Sequence, residues 1–178
     1  PSRLAHMQEY VCGFCFDERL QRVVLIEKAQ PAWQAGRLNG VGGKVEPGET
    51  AADAMAREFE EEAGVLLRAR TVDAERRDQD VWTPFCILTL SEGDDADDAG
   101  AGEDRVVFYR AVSTDAVHDV RTVESEPIRR IPVRDILQPG EVREQCLPNL
   151  RWLIPLAMDP DETVARARTG GAFPDPAA

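Results

Sequence analysis

Basic residues are scarce in this chain of 178 residues: 21 Lys and Arg stand against 33 Asp and Glu, a formal net charge of −12. That balance excludes a nucleic-acid polymer as partner, because such a partner needs a basic face. It leaves room for a small nucleotide, whose phosphates a metal can bridge to carboxylates. No apolar run is long enough to span a bilayer. No signal peptide is visible, so a cytoplasmic location is expected. A disulfide framework is also missing. Cys12 and Cys15 form a C-x-x-C, but there is no second pair and the two histidines are distant. Both sit in YVCGFCF, which reads as a strand, and an odd separation on a strand turns side chains to opposite faces. Cys12, Cys15, Cys86 and Cys146 are therefore expected to be buried structural thiols. No internal repeat is present.

What the chain does have is concentrated between Gly43 and Val65. Thr50 and Asp53 carry capping-box spacing, so a helix is expected to begin at Thr50. Ala51 to Ala63 contains neither Gly nor Pro, and Gly64 stands where a helix ends in a left-handed residue. On that helix Glu58, Glu61 and Glu62 fall at i, i+3 and i+4, which puts three carboxylates on one face. Met55 and Phe59 share another face, facing the core. Acidic residues in the last helical turn oppose the helix dipole and repel one another. Divalent cations would relieve both effects, and hard oxygen ligands at this density suit Mg²⁺, with Mn²⁺ as a substitute.

From Gly43 the residues follow G-x5-E-x7-R-E-U-x-E-E-x-G-U, where U is apolar: Gly43, Glu49, Arg57, Glu58, Phe59, Glu61, Glu62, Gly64 and Val65. This is the Nudix box, and the chain resembles a Nudix hydrolase, a cleaver of nucleoside diphosphates linked to another group. The resemblance implies an α/β/α sandwich with a mixed sheet. It implies metal ligands at Glu58, Glu61 and Glu62, joined by the Gly43 carbonyl. Arg57 would orient Glu58 or Glu61, and Glu49 would order the loop. Glu58 is the leading general base, Glu126 a further acidic candidate from the segment VESEP, and Glu124 its reserve. Lys28 and Lys44 could bind phosphate oxygens.

Trp33 to Thr50 is similar to the MutT-like subgroup that hydrolyses nucleoside triphosphates, including oxidised purines such as 8-oxo-dGTP. In that subgroup an aromatic residue and an asparagine before the box touch the purine; Trp33 and Asn39 fall in those places. Two departures stand out. Leu38 occupies a position where Trp is expected, and only Asn149 stands in the place of a paired acidic motif. The expected reaction is metal-dependent hydrolysis of a nucleoside triphosphate to monophosphate and pyrophosphate. The alternatives are another nucleoside diphosphate derivative, such as a dinucleoside polyphosphate or nucleotide sugar, and a non-catalytic nucleotide-binding module.

Elsewhere the chain reads as one α/β domain over residues 7–168. Residues 1–6 are expected to be a cloning remnant, because His6-Met7 resembles a common cloning site. Residues 169–178 are expected to form a disordered tail. Strands are expected at Tyr10–Phe16, Val23–Ile26, Val65–Val72, Val81–Leu90, Arg105–Val112 and Ile131–Val133. Gln30–Gly43 reads as a loop, Ser91–Asp104 as a solvated hairpin loop, and Pro148–Met158 as an amphipathic helix.

Overall fold

In the computed structural model, which describes residues 7–69, 81–91, 103–159 and 164–170, the opening apolar run becomes strand β1, Glu9–Phe16. Strand β2, Arg22–Glu27, follows after a tight turn. A 3-10 turn at Ala32–Gln34 leads to β3, Leu38–Asn39, and β4, Val41–Lys44. Helix α1 is Ala51–Ala63. Then come β5, Arg68–Ala69; β6, Val81–Ser91; β7, Glu103–Val112; and α2, Thr114–Asp119. The chain continues through β8, Ile128–Pro132; α3, Val133–Leu137; α4, Glu141–Gln145; α5, Leu150–Met158; and β9, Ala165–Gly170.

The strands build one mixed sheet with the central order β3-β2-β1-β7-β6-β5, to which β4, β8 and β9 add beside β1, β2 and β6. β1 runs parallel to β7 over its whole length. On its other side it is antiparallel to β4 at Tyr10–Gly13 and to β2 at Cys15–Phe16. Alternation along each strand then sorts the apolar residues into two cores. Phe14, Phe16, Leu25, Phe85 and Phe108 face one side and meet Ile136 of α3 and Leu150, Leu153 and Ile154 of α5. Val11, Val24, Ile26, Trp82 and Tyr109 face the other and meet Met55 and Phe59 of α1 and Val117 of α2. The result is the α/β/α sandwich with a mixed sheet. Cys12 lies in the first core and Cys15 in the second, and all four cysteines are buried and unbridged.

Several expectations need correction. Gln30–Gly43 is not simply a loop: β3 and β4 lie within it, and the glycines of β4 belong to a strand because β1 and Glu58 crowd that backbone. The strand expected at Ile131–Val133 lies earlier, pairing Ile128–Pro132 with β2, and Val133 opens α3. Helix α5 starts at Leu150, not Pro148. β9 extends through Thr169 and Gly170, two residues expected in the tail, and pairs in parallel with β6. Of the strand expected over Val65–Val72, Arg68–Ala69 pairs with β6, and 70–72 lie outside the described residues. Of the loop expected over Ser91–Asp104, Ser91 closes β6 and Glu103 and Asp104 open β7, because the pairing of the two strands continues that far. Residues 1–6, 92–102 and 171–178 lie outside the described residues as well. Among the described residues no helix is long and apolar enough to cross a membrane.

Candidate active site

The helix that carries the box is fixed at both ends by its own sequence. The Thr50 hydroxyl oxygen accepts from the Asp53 N–H at 3.1 Å and donates to the Asp53 carboxylate at 2.6 Å. Gly64 takes φ 72°, ψ 18°, and its N–H closes the last turn on the Glu60 carbonyl. Met55 and Phe59 anchor the buried face, with Phe59 edge-on to Trp82 at 5.0 Å between ring centroids. The adjoining face carries Arg57, Glu58, Glu61 and Glu62 toward β4, with Glu62 at the edge next to Met55.

Arg57 organises that face. Its Nε and Nη2 donate to the two oxygens of Glu49, at 2.8 and 3.0 Å. Its Nη1 donates to Glu58 Oε1 at 2.8 Å and Glu61 Oε2 at 3.0 Å, and Nη2 also reaches the Lys44 carbonyl at 3.0 Å. Glu49 in turn accepts the Glu46 N–H. The Arg57 hydrogen bonds hold the Glu49 carboxyl below its usual range, while Glu49 raises the Arg57 guanidinium's pKa. Burial pushes Glu58 up, with Arg57 opposing.

Glu58 lies against Gly43: a Cβ added there would run into the Glu58 carboxylate. Glu62 is buried, 8% exposed, and burial pushes its carboxyl up to about 7. Lys28 and a hydrogen bond from the Gly42 backbone oppose that rise, while Glu58 and Glu126 add to it. Glu62 Oε2 is buried without a hydrogen-bond partner among the described residues. Glu61 is half exposed.

Gly42 and Gly43 also line a cavity of about 470 Å³, together with Lys28, Trp33, Asn39, Lys44 and Asn149. Carboxylates and cavity thus meet at the β4 glycines. The structure brings all the sequence-predicted residues to this corner except Glu124, which is exposed and has no hydrogen bond or ion pair among the described residues. Glu126 joins through Lys28. Its Oε2 accepts from Lys28 Nζ at 2.6 Å, and its Oε1 accepts the N–H groups of Ala29 at 2.5 Å and Gln30 at 3.1 Å. Burial pushes the Glu126 carboxyl up, but those donors outweigh it and hold it below the usual range.

Asn39 is partly committed: its Oδ1 accepts the Gly40 N–H at 2.8 Å, and its Nδ2 donates to Gln34 Oε1 at 3.3 Å. Asn149 Oδ1 is buried with no hydrogen-bond partner among the described residues. Trp33 is 46% exposed at the rim. Sequence reasoning missed Tyr10, Gln34 and Asp104 in the polar lining, and Leu88, Leu90, Val106, Phe108 and Leu147 in the apolar part. For those on strands the signal was the period-two alternation along β1, β6 and β7 that only the register brings side by side. Gln34 and Leu147 lie outside strands and carried no such signal.

A model of the NUDIX domain family matches residues 7–152. The chain belongs to the Nudix family. With every fixed box position in place it is a Nudix hydrolase, an enzyme of phosphoanhydride bonds. Among solved structures it is similar to a MutT protein from Bacillus halodurans, at 16% identity and TM-score 0.64, over 95% of this chain and 92% of that one. A MutT NUDIX hydrolase from Burkholderia pseudomallei is 23% identical, with TM-score 0.51 over 80% and 99% of the two chains. The NUDIX domain of Shewanella oneidensis NrtR, solved with ADP ribose, is 16% identical, with TM-score 0.60 over 85% and 86%. These likenesses establish the common fold.

Nudix hydrolases work with a divalent metal, and the box residues here supply the donor chemistry for one. The donors are hard carboxylate oxygens. Glu62 Oε2 is an orphaned buried acceptor, and the missing side chain at Gly43 leaves Glu58 room beside the backbone. No three His, Cys, Asp or Glu side chains among the described residues converge at ligand spacing. Arg57 holds one oxygen of Glu58 and one of Glu61, so ligation requires these carboxylates to share or leave the guanidinium.

Proposed function

We propose that this Nudix hydrolase converts a nucleoside triphosphate to the nucleoside monophosphate and pyrophosphate, with Mg²⁺ as its metal and Mn²⁺ as a substitute. The observation that carries the reading is the junction at Gly42 and Gly43. There the partly buried Glu58 and the buried Glu62 carboxylates adjoin a cavity within the size range of small-ligand sites. Glu58, Glu61, Glu62 and the Gly43 carbonyl would hold the metal. When bound, it neutralises phosphate charge and lowers the pKa of water.

The chain's own groups supply position and proton transfer. Arg57 sets the Glu58 carboxylate through Oε1 and leaves Oε2 outside its grip. That oxygen is our candidate general base, and burial raises its proton affinity toward the useful range. Lys28 and Lys44 line the cavity beside the glycines and offer ammonium donors to phosphate oxygens. Glu126, engaged by three donors, acts in this scheme as the positioning residue for Lys28 and the 28–30 backbone rather than as the base. Trp33 offers an aromatic face to the base. Asn39 keeps one Nδ2 hydrogen to offer it, and Asn149 keeps its Oδ1. Oxidised purines such as 8-oxo-dGTP are the substrates the MutT-like segment favours.

Incubating the protein with Mg²⁺ and a nucleotide panel in isotopically labelled water, then weighing both products, tests the reading. The panel holds canonical and oxidised triphosphates, ADP-ribose, a dinucleoside polyphosphate and a nucleotide sugar. The expected products are monophosphate and pyrophosphate from a triphosphate. Orthophosphate with a nucleoside diphosphate would refute it, and turnover confined to ADP-ribose or the other diphosphate derivatives would replace the substrate.

A further inference from the structure

Asp104 is the one carboxylate among the described residues that line the cavity. It stands on β7 two residues before Val106 and four before Phe108, so the three share a face. Register puts Leu90 opposite Asp104 and Tyr10 opposite Val106, and all of these line the cavity. Asp104 and burial both raise the Tyr10 hydroxyl's pKa, burial more, which places carboxylate and phenol within electrostatic reach. Asp104 Oδ1 accepts the Gln8 N–H at 3.1 Å. Its Oδ2 takes no hydrogen bond from a described residue. No ion pair with Asp104 occurs among them either; neighbouring Arg105 alternates to the other face and pairs with Glu9.

A carboxylate held between Leu90, Val106 and a tyrosine ring is partly desolvated, which costs free energy unless donors compensate. The same cavity holds a second unspent acceptor, Asn149 Oδ1. Repulsion keeps phosphates away from Asp104, so it addresses the nucleoside part of a ligand. We infer that Asp104 is a specificity residue of this cavity, selecting substrates that present an N–H or O–H donor to the β7 wall. The inference rests on the nucleotide reading above. The donor can come from a base amino group or from the ribose 2′-hydroxyl, since a carboxylate oxygen accepts from either. A site built to bond such a group discriminates strongly against the analogue lacking it, because its own acceptor is then left unpaired.

The test compares wild type with Asp104→Asn and Asp104→Ala. Their kcat/KM values are measured for GTP against ITP and ATP against purine riboside triphosphate, which vary the base amino group, and for GTP against dGTP, which varies the 2′-hydroxyl. Calorimetric Kd values for α,β-methylene analogues give a readout independent of turnover. Wild type should favour the donor-bearing member of at least one pair by roughly ten- to a hundredfold. Both variants should erase that preference while leaving the other pairs unchanged. The pair that responds tells base from sugar. Asp104→Asn keeps an acceptor for Gln8, so it answers the question even if Asp104→Ala does not fold. A common factor across all nucleotides, or no change in any ratio, overturns the inference and leaves the nucleotide reading standing. A wild type that binds and hydrolyses neither these nucleotides nor the oxidised triphosphates overturns both.

Discussion

Glu62 is poorly placed for the fold, and the proposed metal site gives that placement a use. It is buried, one oxygen is unpartnered, and its folded pKa of about 7 lies above the unfolded value. A raised carboxyl favours folding while protonated, so its contribution is intact below the unfolded pKa near 4.5. That contribution is lost as pH rises through about 7. Metal-free protein should therefore lose up to about 3 kcal/mol between pH 5 and pH 8 from this group. Glu62→Gln should flatten that slope in thermal or urea unfolding, yet lower kcat by more than about a hundredfold with Mg²⁺ present. An unchanged slope in the variant would remove Glu62 as its cause. Arg57 is the complementary case. Its planar fork meets Glu49, Glu58, Glu61 and the Lys44 carbonyl at once. A lysine cannot reproduce that geometry. Arg57→Lys should cost about 1–3 kcal/mol in unfolding experiments and reduce activity beyond the loss of folded protein. The box residues were legible in the sequence because their spacing on one helix fixes their neighbours. The engagement of Glu126 with Lys28 was not, because it spans 98 residues and depends on how β2 meets the segment before β8.

At the scale of elements, the box helix could be read to the residue, since its cap, apolar face and terminal glycine are all local signals. Helices α2, α3 and α4 escaped. They have six, five and five residues, too short for a helical period to show. β4 escaped for a different reason. Its VGGK segment looks like a turn, but the glycines are there for close approach: side chains at 42 and 43 would strike β1 and the Glu58 carboxylate. Two glycine substitutions separate these roles. Gly64→Ala strains a left-handed residue and should cost about 1 kcal/mol in unfolding, with kcat of the folded enzyme nearly unchanged. Gly43→Ala displaces Glu58 instead and should lower kcat at least about tenfold at modest stability cost. If the two variants showed the same split between stability and kcat, β4 would not be the element that joins helix to cavity.

Across the whole molecule, acidity and the proposed metal site act on different length scales. The net charge of −12 repels itself generally, and any salt screens it. The carboxylates at the end of α1 repel one another locally, where like charges meet Glu62's buried oxygen. Screening reaches the first effect well and the second poorly, because buried groups are shielded from the ions. NaCl should therefore raise the Tm of metal-free protein gradually and without saturation at low concentration. Mg²⁺ at matched ionic strength should add a further, saturable rise, because it binds the folded state at a formed site. At a hundred times its Kd that increment corresponds to about 2.7 kcal/mol. Glu61→Gln and Glu62→Gln should each reduce or abolish the Mg²⁺ increment while leaving the NaCl response in place. Differential scanning calorimetry of the three proteins in both salts reads all of these outcomes. If the variants kept the full Mg²⁺ increment, the cation would be acting on the general surface charge and the box carboxylates would not be its ligands.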